Sequence, residues 1–333
     1  MCFSLSYLEQ FLIEAAILFT VEFSYIRIAK KLHFHEKVTS RSSHSSNNII
    51  KSAGFIFFIG FLFAFIFLPR GAYNHSYFYP EFIFGAIGLT VISLIDDFRP
   101  LDAWVKLAMQ VLFVAPTYYE LVTMNHEVIY ILAVICAIGF MNAYNFMDGI
   151  NGMLASYSIV SLTSLAILYS PYLHVHPAVA TLPYYLCISL AIAVGIFAIF
   201  NFRKQAVCFA GDIGSISLGF LIGYITVCYG VMAQEPSVIV LFAVYGIETV
   251  FTIFYRISLG ENILTSHRRH LYQRLANENK QPHLKVSTSY AVVQLAINVI
   301  YIILPDDYRL TYAVVVIVVL STVFLRVRAN FCR

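Results

Sequence analysis

Residues 184–200 read Tyr184-Tyr185-Leu186-Cys187-Ile188-Ser189-Leu190-Ala191-Ile192-Ala193-Val194-Gly195-Ile196-Phe197-Ala198-Ile199-Phe200, without one formal charge. A helix of this length rises about 25 Å and comes close to spanning the hydrocarbon core of a bilayer. Working outward, comparable apolar runs fall near 7–27, 53–68, 82–95, 103–119, 127–141, 153–170, 215–232, 236–255, 289–304 and 311–326. The 333 residues are 60% hydrophobic and 12% charged, against about 25% charged in an ordinary soluble domain. So few charges cannot cover a water-facing surface, and they sit in short stretches between the runs. The expected fold is all-α: a polytopic integral membrane protein of about eleven transmembrane helices, embedded in membrane lipids as one domain over 1–333. No internal repeat or low-complexity tract divides it.

The net charge is +3, and the basic residues do not interleave with aromatics, so no nucleic-acid partner is expected. Six cysteines show no CxxC spacing and read as small apolar residues. The first run opens without Lys or Arg and ends in a basic cluster, which predicts a retained span rather than a cleaved leader.

Short cytoplasmic loops of membrane proteins carry the excess of Lys and Arg. With the N-terminus outside and eleven spans, 19 of the 21 basic residues fall inside, leaving only Arg70 and Arg309 outside. The C-terminus is then cytoplasmic. Inside loops follow near 28–52, 96–102, 142–152, 201–214 and 256–288, and four polar motifs coincide with them.

The first motif is Leu94-Ile95-Asp96-Asp97-Phe98-Arg99-Pro100-Leu101-Asp102. Adjacent carboxylates at the end of an apolar helix repel one another unless a cation compensates them, and a hard divalent ion with oxygen ligands does so economically. Interfacial water is the bland alternative. In the second, Asn142-Ala143-Tyr144-Asn145-Phe146-Met147-Asp148-Gly149-Ile150-Asn151-Gly152, the spacing puts Asn142, Asn145 and Asp148 on one helical face. An ordinary Asn- and Gly-rich turn would read the same way. The third, Phe209-Ala210-Gly211-Asp212-Ile213-Gly214-Ser215, shares its loop with Asn201. Asp212 is either a helix cap or a metal ligand beside backbone N–H groups suited to phosphate. The fourth, His267-Arg268-Arg269-His270-Leu271-Tyr272-Gln273-Arg274, concentrates two His and three Arg. Arg grips phosphate oxygens bidentately, whereas a solvated basic loop would account for Arg but not for the His pair. Together these motifs offer carboxylates for a divalent cation and cations for phosphates, which suits diphosphate chemistry beside a bilayer.

In this order the motifs resemble those of the polyprenyl-phosphate N-acetylhexosamine-1-phosphate transferases. These are glycosyltransferases of the family 4 type, related to the translocase that makes the first peptidoglycan lipid intermediate. Arg41-Ser42-Ser43-His44 resembles the family's first cytoplasmic loop, and the histidine motif resembles the branch serving O-antigen, lipopolysaccharide and capsule assembly. Asn151 stands where the family commonly has a second Asp, and the residues after His44 depart from its usual Pro-Thr continuation.

The resemblance implies transfer of an N-acetyl-sugar 1-phosphate from a UDP-sugar to undecaprenyl phosphate, with release of UMP. It implies Mg²⁺ as cofactor, Mn²⁺ as a substitute, a bacterial inner-membrane location with the site facing the cytoplasm, and leaves a homodimer open. It further implies catalytic roles for Asp96, Asp97, His267, Arg269 and His270. Asp212, Asp96, Asp97 and Asp148 become metal candidates, and Arg41, His44, Lys51, Asn142, Asn145, Asp148, Asn151, Asn201 and Phe209 substrate contacts. A secondary transporter and a scaffold without activity are the competing classes. Transporters place their sites at the bilayer midplane across repeats, unlike the pattern here.

Overall fold

The computed structural model describes residues 7–35, 49–66, 80–122, 127–170, 177–263 and 267–330. Twelve helices account for nearly all of them: α1 (Tyr7–Lys31), α2 (Phe55–Ile66), α3 (Pro80–Phe98), α4 (Ala103–Val122), α5 (Glu127–Met147), α6 (Met153–Leu168), α7 (Pro177–Asn201), α8 (Gly211–Met232), α9 (Ala243–Ser258), α10 (Leu271–Asn277), α11 (His283–Ile303) and α12 (Asp306–Asn330). A 3₁₀ segment, Pro236–Phe242, leads into α9. Each of the eleven apolar runs is helical over most of its described length, and no strand occurs among the described residues. The chain is an all-α, multi-pass membrane protein, with six helical stretches among the described residues long and apolar enough to cross a bilayer by length and composition.

Burial orders the bundle. In α8, 78% of the most apolar window is buried, against 11% in α12. The first is therefore the central post and the second an outer helix. α8 packs on α2, α3 and α5, while α6 lies between α7 and α11. Leu310, Val314, Val318 and Leu325 on α12 stay exposed, as expected of side chains that face lipid. The approach of α2 to α8 is close enough to require glycine. A Cβ on Gly54 would sit 2.4 Å from the Gly214 Cα.

The run 236–255 reads as one span, but its hydrogen-bond ladder changes at Phe242. In hydrocarbon each backbone group freed by such a break must find an internal partner. Gln294 of α11 supplies it: its Oε1 accepts the Val244 N–H at 3.0 Å and its Nε2 donates to the Val240 carbonyl at 3.0 Å. Tyr157 of α6 and Asn298 complete this buried network.

Candidate active site

The polar motifs gather at the end of the bundle where α8 begins. Residues 49–54 run beside 207–210, with Ile50 N–H donating to the Val207 carbonyl and Phe209 N–H to the Ile50 carbonyl, both at 2.9 Å. Ala53 and Gly54 add bonds to the Phe209 and Ala210 carbonyls at 3.0 Å. This pairing carries Lys51 and Ser52 to Asp97. Ser52 adopts a φ of 62°, a strained conformation for a residue with a Cβ. Its hydroxyl donates to Asp97 Oδ2 at 2.7 Å.

The two adjacent aspartates face different ways, because neighbouring positions on a helix diverge by about 100°. Asp97 points into the first turn of α8. Its Oδ1 accepts the Asp212 N–H at 3.0 Å and its Oδ2 the Ile213 N–H at 3.2 Å, while the Lys51 ammonium lies 3.3 Å from Oδ1. Its side chain is fully buried, so it acts as a cap from another helix, where the macrodipole favours negative charge. Gly211 makes this fit possible. It has a φ of +71°, and a Cβ there would stand 2.5 Å from Asp97 Oδ2.

Asp96 faces a small cleft lined also by Ser93, Lys106, Gln110, Asn142, Asn145 and Asp212. The Lys106 ammonium ion-pairs with Asp96 Oδ2 and lies 3.4 Å from Asp212 Oδ2, so two carboxylates from α3 and α8 converge on one cation. The cleft has room of ≈ 30 Å³, about that of two waters. Asn142 exchanges hydrogen bonds with Gln110, and Asn145 Oδ1 accepts the Ser215 hydroxyl at 3.2 Å.

Asp148 Oδ2 accepts the Gly211 N–H at 3.0 Å, so it too serves the start of α8 rather than the cleft. Among the described residues no group of three or more His, Cys, Asp or Glu is set to hold a metal. The donor set that does fit a hard ion is the pair Asp96 and Asp212, the rest of its shell left to water and substrate oxygens as Mg²⁺ prefers.

Asn151 and Asn201 work on backbone. Asn151 Nδ2 donates to the Arg203 and Lys204 carbonyls at 2.9 and 3.1 Å. Asn201 accepts the Gly152 N–H at 2.8 Å and donates to the Cys208 carbonyl at 2.9 Å. Phe209 is buried against Ile49 and Ala206. Arg41 and His44 lie outside the described residues.

The histidine motif reaches the others through Phe146. The Tyr272 hydroxyl donates to the Phe146 carbonyl, and the rings of His267 and His270 lie 5.8 and 5.5 Å from the Phe146 ring. Arg269 is exposed and held by Glu261, whose Oε2 it meets at 3.1 Å and which also pairs with buried Arg256. Burial, helped by the neighbouring His270, Arg256, Arg269 and Arg328, pushes His267 down from the usual 6.5 to about 3. It is therefore a neutral imidazole near neutral pH, and its Nδ1 accepts the Arg269 N–H at 3.2 Å.

Lys106, Ser52, Gln110 and Arg256 carry no motif and escape a reading of the sequence. Lys106 had one signal, as the lone cation in the first turn of an apolar helix three residues after Ala103.

The family described as Glycosyl transferase family 4 matches residues 79–230. A phospho-N-acetylmuramoyl-pentapeptide-transferase of Latilactobacillus sakei subsp. sakei (strain 23K) is 32% identical over 45% of this chain and 48% of its own length. The enzyme of that name from Streptococcus thermophilus (strain CNRZ 1066) is 29% identical over 48% of this chain and 50% of its own. The "Probable undecaprenyl-phosphate N-acetylglucosaminyl 1-phosphate transferase" of Bacillus subtilis (strain 168) is 25% identical over 80% and 76%. The chain thus spans about half the length of the first two relatives.

Proposed function

We infer that this chain, a glycosyl transferase family 4 protein through residues 79–230, transfers an N-acetyl-sugar 1-phosphate from a UDP-sugar to undecaprenyl phosphate. UMP leaves, and the product is the first lipid-linked intermediate of a cell-surface polysaccharide. The observation that carries this reading is the convergence of Asp96 and Asp212 on a single cation position, beside a basic loop and at the end of an apolar bundle. The charge distribution supports a site on the cytoplasmic face of a bacterial inner membrane.

Asp96 and Asp212 would hold Mg²⁺, which when bound supplies positive charge to the diphosphate. The lipid phosphate is already mostly dianionic near neutral pH, since the second pKa of a phosphate monoester is about 6. No strong base is then needed, and positioning with charge stabilisation dominates. Asp97 and Asp148 keep the first turn of α8 in place and so aim Asp212. Lys106 neutralises the carboxylate pair and has a flexible stem that lets its ammonium serve a phosphate oxygen. Asn142, Asn145 and Gln110 offer uncharged donors and acceptors to the donor substrate, and Arg269 with His267 offers N–H groups to its phosphates.

Purified protein in nanodiscs, given undecaprenyl phosphate, Mg²⁺ and a panel of UDP-N-acetyl-sugars, tests this by UMP release. Release with at least one sugar, abolished by chelation, is expected. Release without lipid phosphate, or none with any sugar, contradicts it.

A further inference from the structure

Glu248 lies on α9, outside every motif, and is 1% exposed. Its Oε1 accepts the Tyr272 N–H at 3.2 Å, in the first turn of α10, and lies 3.6 Å from His270 Nδ1. Its Oε2 accepts the hydroxyl of Tyr290 on α11. One carboxylate thus joins three helices at the root of the histidine motif. His270, the residue that opens α10, is equally buried, and neither ring nitrogen has a hydrogen-bond partner. A buried polar group left unmade costs roughly 1–3 kcal/mol. The ring is boxed by His267 at 4.9 Å, Phe146 at 5.5 Å, Tyr272 at 5.7 Å and Tyr245 at 6.1 Å. Among these neighbours the Glu248 carboxylate is the acceptor that Nδ1 can reach by a small movement. Hydrogen bonds of this kind are often long before a substrate binds.

We propose that Glu248 is a positioning residue for the transfer, holding His270 through Nδ1 and α10 through Tyr272, and so fixing where His267 and Arg269 meet phosphate. The assignment rests on the phosphotransfer reading. A carboxylate beyond an imidazole fixes its tautomer and ring orientation, and its loss weakens a site without removing any group that touches the ligand. The same carboxylate reaches the Asn145–Asp148 turn, because Tyr272 also binds the Phe146 carbonyl.

The test uses the full-length protein in nanodiscs with Glu248→Gln, Glu248→Asp, His270→Gln and the double variant Glu248→Gln with His270→Gln. Glu248→Gln should lower kcat about tenfold or more with little change in the KM for the UDP-sugar, and Glu248→Asp should recover part of the loss. In the His270→Gln background, Glu248→Gln should add less than about a twofold loss, since both act as one unit. Losses that multiply, and that track a falling Tm, would overturn the proposal. Side-chain ¹⁵N spectra of histidine-labelled protein, with His270 assigned by its absence in His270→Gln, read the pairing without turnover. A proton on Nδ1 whose signal moves in Glu248→Gln is expected; a proton on Nε2 with the same signal in both proteins overturns the pairing. Wild-type protein that releases no UMP sinks the phosphotransfer reading, and the ¹⁵N result alone then decides whether Glu248 holds His270.

Discussion

Asp97 accepts the backbone N–H of Asp212 at 3.0 Å, so a carboxylate in the last turn of α3 holds the first turn of α8. This bond separates two aspartates that are neighbours in sequence. Asp96→Asn should leave the fold intact, measured as Tm, and lower kcat by two orders of magnitude, or about 2.7 kcal/mol in the barrier. Asp97→Ala strips a cap from α8 and takes the side-chain acceptor from the Asp212 and Ile213 N–H groups, so it should also lower stability by roughly 1–3 kcal/mol. Equal Tm values for the two variants would argue against the division of labour.

Gly211 gives a backbone test of the same contact. With a φ of +71° and 2.5 Å between a built Cβ and Asp97 Oδ2, Gly211→Ala adds strain of about 1–3 kcal/mol and pushes the carboxylate away. UMP release should fall sharply although no polar group is removed. Activity within about twofold of wild type would show that the contact is dispensable.

His267 predicts a pH dependence of stability. Its folded value is pushed down to about 3 from 6.5, first by burial and then by the cations around it. The unfolded chain therefore binds the extra proton between these values, and stability is lost as pH falls from 6.5 towards 3. The Tm of wild-type protein should drop more steeply between pH 6.5 and 5 than that of His267→Gln. Parallel curves would assign the acid sensitivity elsewhere.

Orientation follows from the basic residues alone. A reporter fused after Arg333 should read cytoplasmic, and one inserted near Asn125 periplasmic. The same side for both would mean a miscounted span.

The bundle was legible because lipid imposes a simple rule: long uncharged runs must be helices. Its finer breaks were not. α10 has only seven residues, too few for periodicity, and the change at Phe242 hides inside a continuous apolar run whose remedy, Gln294, lies on another helix. The motifs converge at one end of the bundle, but composition at a position does not say which way a side chain points. Asp96 and Asp97 look alike in sequence and differ by one step around α3. Asn151 carries the same amide whether it reads a base or, as here, holds the Arg203 and Lys204 carbonyls. Lys106 looks like one more basic residue beside a span until Asp96 and Asp212 close on it from two helices.

In the proposed reaction phosphorus, not the sugar alone, moves to the lipid. The most direct measurement uses a UDP-N-acetyl-sugar carrying ³²P only at the sugar-linked phosphate, incubated with the protein, undecaprenyl phosphate and Mg²⁺. The label should enter the lipid and the released nucleotide should be unlabelled UMP, with no transfer by Asp212→Asn. Label retained in released UDP would contradict the proposed reaction, because the sugar alone would then have moved.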